Sequence, residues 1–258
     1  MCLLQLYTGL LGLGIVLVAL SLALRRQGLC RALARCLDAH HTHGRPIPRL
    51  GGAALALAFV GVEVLVWAAA PAKRAATPGW WVVMAGSLAM FGLGFWDDLR
   101  PLGAKGKLAA QILIASLVWS CGVSIQVCKL PLLGWRVDLG GLSLAVTVLW
   151  LVGLTNLINL IDGVDGLAGG ICLMLMLLMI FVGQQGGSLG LLASGMAGAL
   201  LGFLVFNFPP AKVFLGDSGA YFLGFQIGLL SLIESDKGTV FGALLAPLFV
   251  LAQPLVDT

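Results

Sequence analysis

The sequence predicts an all-α polytopic membrane protein with about nine transmembrane helices, and two observations carry that prediction. Hydrophobic residues make up 60% of the 258 residues and charged residues only 10%, with a mean hydropathy of +1.04. Soluble domains are about 45–50% apolar and about 25% charged, so the composition excludes an ordinary soluble protein. Apolar stretches long enough to cross a hydrocarbon core of ~30 Å recur along the chain, and helices satisfy backbone polar groups within lipid.

Apolar length, punctuated by glycine, proline and charge clusters, sets the individual spans. The first stretch is followed by Arg25 and Arg26 instead of a small-residue cleavage site, so it is predicted to be a retained span and not a signal peptide. No soluble domain or repeat interrupts the series, and residues 1–258 are predicted to form a single transmembrane domain. The predicted spans are residues 3–24, 50–70, 80–96, 107–123, 141–159, 167–183, 188–206, 218–233 and 239–255.

The distribution of basic residues predicts the orientation. Of the 15 lysines and arginines, ten lie in loops after the odd-numbered spans and five lie in the other loops. The positive-inside rule therefore places the exits of the odd-numbered spans in the cytoplasm and the N-terminus outside. The basic loop 25–49 also holds His40, His41 and His43, for which binding to anionic membrane lipid is a simpler interpretation than zinc. On the opposite face, residues 123–140 are predicted to form a small external hairpin.

Five aspartates follow odd-numbered spans, which is the strongest indication of function. Asp97, Asp98, Asp162, Asp165 and Asp217 are five of the eleven acidic residues, and parity alone puts them on one membrane face. Clustered acids near lipid repel one another and need compensation. A divalent cation supplies it, because carboxylate oxygens are hard ligands and Mg²⁺ binds substrate phosphates beside one or two carboxylates. For Asp97 and Asp98 alone, the alternative is a solvated loop pair just past a helix end.

A polar repeat ends the fifth span. Asn156, Asn159, Asp162 and Asp165 recur at every third residue, which on a helix gives a slowly turning stripe along one side. Four polar side chains at the end of an apolar span are hard to explain as lipid-facing, so the stripe indicates a binding surface. A glycine-rich turn with polar caps is the alternative for any one of them.

A second polar segment, residues 207–219, begins at Asn207 and breaks the helix at two prolines. It then presents Lys212, Phe214 and Asp217 in turn. Together they offer a cation for a phosphate, a ring for a base to stack on and an acid for a metal. Taken singly, Lys212 also fits an ordinary positive-inside charge and Phe214 fits interface packing.

These motifs resemble those of the polyprenyl-phosphate N-acetylhexosamine-1-phosphate transferases, bacterial membrane enzymes that begin lipid intermediates of surface polymers. The resemblance runs from the first inner loop nearly to the end of the chain, and its last two motifs are closer to the UDP-N-acetylglucosamine branch than to the peptidoglycan branch. The motifs occur in order on alternate spans: His43–Gly52, Asp97–Leu99, Lys107 four residues before Gln111, Asn156–Gly166 and Pro210–Gly219.

The resemblance implies an enzyme of the bacterial inner membrane with a cytoplasmic cleft and Mg²⁺. Undecaprenyl phosphate would be the acceptor, a UDP-N-acetylamino sugar the donor and UMP the leaving product, with no nucleic-acid partner. By analogy Asp217 would hold the Mg²⁺, Asp97 and Asp98 would orient or deprotonate the lipid phosphate, and Asp162 with Phe214 would contact the uridine. The other substrate-binding candidates of the cleft are Lys107, Asn156, Asn159, Asp165, Asn207 and Lys212.

The chain also departs from the family pattern. Members usually carry a histidine-rich inner loop after the ninth span and then one more span, whereas this chain stops at Asp257 and Thr258. We therefore expect that the family's C-terminal loop and last span are missing, which leaves an inactive fragment as one alternative. A cation- or proton-coupled secondary transporter is the other, although transporter carboxylates usually lie near the bilayer midplane.

Overall fold

The structure, a computed structural model, describes residues 2–25, 47–69, 79–130, 135–182 and 188–234. These residues form a helical bundle with one short antiparallel hairpin, β1 (Val127–Leu130) and β2 (Trp135–Asp138), which confirms the hairpin predicted within residues 123–140. A short 3₁₀ turn, Gly140–Leu142, leads from the hairpin into the next helix. The helices are α1 (Cys2–Arg25), α2 (Gly51–Ala69), α3 (Trp80–Leu99), α4 (Ala104–Ser120), α5 (Ser143–Ile161), α6 (Leu167–Val182), α7 (Ser188–Asn207) and α8 (Gly216–Glu234).

Eight of the nine predicted spans coincide with one of these helices to within a few residues. The ninth, residues 239–255, lies outside the described residues. Among the described residues, five helices are long and apolar enough to cross a membrane, namely α1, α2, α3, α5 and α7, and α6 is a shorter apolar helix. The protein is therefore a multi-pass membrane protein, while the full number of nine spans stays a prediction.

Helix α8 lies at the centre of the bundle and positions the polar end described below. It packs against α2, α3 and α5, and every residue from Ser218 to Leu232 is buried. The ring of Phe222 meets Phe59 of α2 and Phe91 of α3 edge to face, with ring centroids 5.4 and 6.4 Å apart. Such aromatic contacts fix the relative positions of the three helices.

The backbones of α1 and α7 are in direct contact. A Cβ atom added at Gly12 would lie against the carbonyl oxygen of Gly195, closer than real Cβ atoms come to any atom. The hydroxyls of Thr8 and Ser194 share a hydrogen bond of 2.7 Å in the same interface. Small residues and interhelical hydrogen bonds hold membrane helices together because lipid provides no hydrophobic drive for their association.

Replacing Gly12 by alanine is expected to destabilise the protein by about 1–3 kcal/mol, the usual range for overpacking a tight interface. Gly14→Ala is the matched control, because Gly14 lies on the same helix with no atom within 4 Å of an added Cβ. Thermal unfolding in detergent should show a melting temperature several degrees lower for Gly12→Ala and little change for Gly14→Ala. Equal melting temperatures for the two variants would mean that α1 does not pack on α7 through Gly12.

Candidate active site

Asp97 and Asp98 occupy the last turn of α3, and both are buried, with 3% and 6% of their surface exposed. The third span was predicted to end at residue 96, but the helix continues to Leu99, and the amide of Arg100 still donates to the carbonyl of Trp96 (2.8 Å). Pro101 then prevents further helix. The solvated loop pair considered as an alternative is therefore wrong, because tertiary packing covers both carboxylates.

Asp98 caps the N-terminus of α8 from the neighbouring helix. Its Oδ1 accepts a hydrogen bond from the backbone N–H of Asp217 (3.0 Å), and its Oδ2 accepts one from the N–H of Ser218 (2.9 Å). The first amides of a helix have no partner within the helix and are usually capped by a nearby acceptor. α3 comes this close because Gly94 has no side chain, and an added Cβ would lie 2.5 Å from the carbonyl oxygen of Asp217.

Lys107 links the end of α3 to the start of α8. Its ammonium contacts Oδ2 of Asp97 and lies 3.4 Å from Oδ2 of Asp217. The other oxygen of Asp97 accepts a hydrogen bond from the N–H of Leu102 (2.7 Å). Asp97 is enclosed, whereas the side chain of Asp217 is 27% exposed. The arrangement therefore presents one accessible carboxylate beside a buried one, with a cation between them.

The polar stripe predicted at the end of the fifth span is only partly helical. Asn156 and Asn159 belong to α5, but the helix ends at Ile161, with Asp162 as its C-cap and Asp165 in the turn that precedes α6. The glycine-rich turn of the alternative is therefore present at the second half of the repeat, and it begins at Asp162. The polar residues recur at every third position both in the helix and in the glycine-containing turn after it. The repeat therefore does not reveal where the helix ends.

Three of the predicted substrate-binding residues hold the walls of the site together. Oδ2 of Asp165 accepts a hydrogen bond from the N–H of Ala211 (3.1 Å). The buried amide of Asn207 accepts from the N–H of Gly166 (3.0 Å) and donates to the carbonyl of Val213 (2.9 Å), so it joins the same two loops. The amide of Asn156 donates to Oε1 of Gln111 on α4 (2.7 Å). Their hydrogen-bonding capacity is thus used largely within the protein.

The remaining candidates are half-buried or exposed. Asn159 has the side chain of Tyr221 beside it, Phe214 is half-buried, and the side chain of Lys212 is exposed. The pKa of Asp162 is raised to about 7, chiefly by burial and also by the negative charges of Asp217 and Asp98, while Arg49 acts to lower it. Asp162 thus lies within electrostatic reach of Asp98, Asp217 and Arg49, although it follows α5 and not α3.

The elevated pKa of Asp162 predicts a pH-dependent effect of Asp162→Asn. An aspartate with a raised folded-state pKa stabilises the fold below its unfolded-state pKa and loses that contribution as pH rises towards 7. The melting temperature of Asp162→Asn relative to the wild type should therefore rise from about pH 4 to about pH 7 and then level off, measured with EDTA so that no divalent cation screens the cluster. Substitution of the exposed Asp138 by asparagine is the control, and an increment for Asp162→Asn that is constant with pH would contradict the prediction.

The donor set suits Mg²⁺ better than a metal held entirely by protein. Within the described ranges, no group of three or more His, Cys, Asp and Glu side chains is arranged to hold a metal by itself. Mg²⁺ commonly takes one or two carboxylates and completes its shell with water and substrate phosphates. The partly exposed carboxylate of Asp217 fits that requirement. Among the described residues, Arg49 and Lys107 are the cations in ion-pair contact with the aspartates, so a divalent cation would reduce the remaining negative charge.

Sequence reasoning missed two partners of the site. Arg49, just before α2, lies with its Nη1 3.6 Å from Oδ1 of Asp98, and Gln111 is the hydrogen-bond partner of Asn156. Gln111 was noted only as part of a motif, and Arg49 only as one of the basic loop residues. The one feature of the sequence that could have identified them is that both lie within the motifs that resemble the family.

Fold and site together define a multi-pass membrane protein with a polar site of carboxylates and cations at one end of its helical bundle. Residues 80–235 match the family described as glycosyl transferase family 4. This match includes more than half of the chain and every site residue except Arg49, so the protein belongs to glycosyl transferase family 4. The resemblance stated from the motifs is confirmed.

Several curated relatives are transferases of phospho-sugars. The chain is 35% identical to a probable undecaprenyl-phosphate N-acetylglucosaminyl 1-phosphate transferase of Bacillus subtilis (strain 168), over 84% of the chain and 59% of the relative. It is 38% identical to a phospho-N-acetylmuramoyl-pentapeptide-transferase of Moorella thermoacetica, over 54% of the chain and 46% of the relative. It is 33% identical to an undecaprenyl-phosphate alpha-N-acetylglucosaminyl 1-phosphate transferase of Thermotoga maritima, over 78% and 57%. The chain thus spans about half to three fifths of the length of these relatives.

Proposed function

We propose that this protein transfers N-acetylhexosamine 1-phosphate, specifically N-acetylglucosamine 1-phosphate, from a UDP-sugar to undecaprenyl phosphate and releases UMP. The reaction would serve the synthesis of cell-wall or surface-polysaccharide lipid intermediates, with the site on the cytoplasmic side of the bacterial inner membrane. One observation carries the proposal, namely the placement of Lys107 between Asp97 and Asp217 at the polar end of the bundle. The names of the relatives support the substrates.

The proposed reaction is a phosphoryl transfer. An oxygen of the lipid phosphate attacks the phosphorus that bears the sugar, and the bond from that phosphorus to the bridging oxygen breaks, so that UMP leaves with the bridging oxygen. A phosphate monoester has its second pKa near about 6, so much of the acceptor is already a dianion at neutral pH. Phosphoryl transfer then depends mainly on positioning and charge stabilisation.

The residues divide these tasks according to their accessibility. Asp217 would hold Mg²⁺, which supplies positive charge to the diphosphate of the donor and to the departing UMP. Asp97 orients the lipid phosphate through Lys107, which it contacts directly. We assign this task to Asp97 and not to Asp98, because both oxygens of Asp98 accept backbone hydrogen bonds.

The donor would lie against the other wall of the site. Asp162 and Phe214 bind the uridine, Lys212 binds a phosphate and Asn159 lines the cleft beside them. Asn156, Asp165 and Asn207 contribute by holding α4, α5 and the two loops in place. The alternative of a secondary transporter gains no support, because the aspartates of the cluster lie at helix ends and in loops and not at mid-helix.

The proposal is tested by measuring UMP release from purified protein with UDP-N-acetylglucosamine and undecaprenyl phosphate, with Mg²⁺ and with EDTA. UDP-N-acetylmuramoyl-pentapeptide is the competing donor, and undecaprenol, which lacks the phosphate, is the control acceptor. We expect Mg²⁺-dependent release that requires both UDP-N-acetylglucosamine and undecaprenyl phosphate. Absence of UMP release with either donor would refute the proposed function.

A further inference from the structure

Arg49 is a cation of the site to which the proposed mechanism gives no task, although it lies within the segment His43–Gly52. It precedes α2, and its guanidinium lies beside Asp98 at the start of α8. We propose that Arg49 binds a phosphate group of one of the substrates, with its guanidinium held in place by Asp98. This inference rests on the proposed function for its choice of ligands, the lipid phosphate or the nucleotide diphosphate.

The backbone on both sides of Arg49 is fixed against the segment that leads into α8. The carbonyl of Pro48 accepts a hydrogen bond from the N–H of Phe214, and the N–H of Gly51 donates to the carbonyl of Phe214, both at 3.0 Å. The N–H of Gly52 donates to the carbonyl of Leu215, also at 3.0 Å. These hydrogen bonds hold the backbone at Arg49 against residues 214 and 215, two to three residues before Asp217.

The side chain of Arg49 has donors to spare. Its Nη1 lies 3.6 Å from Oδ1 of Asp98, and the side chain is 31% exposed. Each oxygen of Asp98 already accepts a backbone N–H, so Asp98 does not need Arg49 to complete its hydrogen bonds. A guanidinium carries five N–H donors in a rigid fork, and the described residues leave most of those of Arg49 without a hydrogen-bond partner.

The chemistry of this group favours a phosphate. Arg49 also acts electrostatically on Asp162, so its charge reaches carboxylates from both the α3 and the α5 side of the cluster. An anionic substrate that enters among five aspartates needs cations to meet it. A planar guanidinium binds phosphate oxygens in pairs, which a lysine ammonium cannot do. Lys107 is already engaged with two aspartates, whereas Arg49 retains free donors and partial exposure.

Three variants test the proposal: Arg49→Gln, Arg49→Lys and the control Lys105→Gln, which removes an exposed cation from the first turn of α4. KM is measured separately for undecaprenyl phosphate and for UDP-N-acetylglucosamine, beside the melting temperature of each variant. We expect Arg49→Gln to raise one of these KM values about ten-fold or more, the effect of losing a charge-assisted pair, with a small change in melting temperature. Arg49→Lys should recover part of the loss, and Lys105→Gln should behave as the wild type.

The substrate whose KM rises identifies the phosphate that Arg49 contacts. Equilibrium binding provides a second readout that needs no turnover: UDP binding in detergent, and binding of undecaprenyl phosphate compared with undecaprenol in nanodiscs. If the wild type releases no UMP but binds either phosphate ligand, and Arg49→Gln weakens that binding, the proposed function fails and this inference stands. If KM and binding are unchanged in Arg49→Gln, if the wild type binds neither ligand, or if Arg49→Gln merely unfolds the protein and Arg49→Lys does not restore binding, the inference is overturned.

Discussion

Asp217→Asn is expected to reduce Mg²⁺-dependent UMP release by at least about 10²–10³-fold, the usual effect of removing a group that stabilises transition-state charge. The substitution keeps the shape of the side chain and removes its negative charge. The backbone N–H of Asp217 still donates to Asp98, so the start of α8 should remain in place. The rate of UMP release should therefore fall while the stability of the protein changes little. A higher Mg²⁺ concentration should restore only a small part of the rate.

The measurement is the initial rate of UMP release over a range of Mg²⁺ concentrations, together with the melting temperature. Asp138→Asn is the control, because Asp138 is an exposed acid on β2 whose Oδ1 accepts a hydrogen bond from the N–H of Gly140. It should leave the rate unchanged. A rate for Asp217→Asn within about two-fold of the wild type would exclude Asp217 as the ligand that holds Mg²⁺.

Asp98→Asn is expected to lower both stability and activity, although the side chain contacts no substrate in the proposed mechanism. An asparagine offers one oxygen and one NH₂ group to two backbone N–H donors, so one donor loses its acceptor and faces another donor. Removing one partner from a buried, charge-assisted pair typically destabilises by about 2–4 kcal/mol. For a protein of this size we expect the melting temperature to fall by about 5–15 °C.

Asp97→Asn is the informative comparison for Asp98→Asn. Asp97 accepts one backbone hydrogen bond and contacts Lys107, so asparagine can keep the bond to Leu102 and lose only the ion pair. We expect a smaller fall in melting temperature and a larger loss of rate per degree of destabilisation. An Asp98→Asn variant with the melting temperature of the wild type and no activity would instead mean that Asp98 acts in the chemistry, as the family resemblance implied.

The positions of the helices could be predicted from the sequence because apolar length is a local property. A stretch such as residues 188–206 is long and apolar, and α7 follows it almost residue for residue. The gathering of the aspartates at one end could also be predicted, because alternate spans end on the same membrane face. α3 extends beyond its predicted limit because tertiary packing, and not apolar length, decides whether Asp97 and Asp98 remain helical.

The hydrogen-bond partners of the polar residues could not be predicted in the same way. Asp98 and Asp217 carry the same side chain, yet one accepts two backbone hydrogen bonds and the other is partly open. The difference depends on a close approach between helices far apart in sequence. Gly94 permits this approach, but a single glycine in the sequence does not predict it. Arg49 escaped notice for the same reason, since a basic residue in an inner loop is expected whether or not it meets an acid.

The cap that Asp98 places on α8 has a consequence for the biogenesis of the protein. The acceptor and the amides that it caps are separated by 119 and 120 residues along the chain. During synthesis α3 is made long before α8. The polar start of α8 can therefore reach its final position only by packing against α3, which has already been inserted. Until that docking occurs, Asp217 has neither its neighbouring lysine nor a fixed backbone. Asp217, the carboxylate proposed to hold Mg²⁺, is therefore expected to reach its final position late, through assembly of the membrane domain and not through folding of α8 alone.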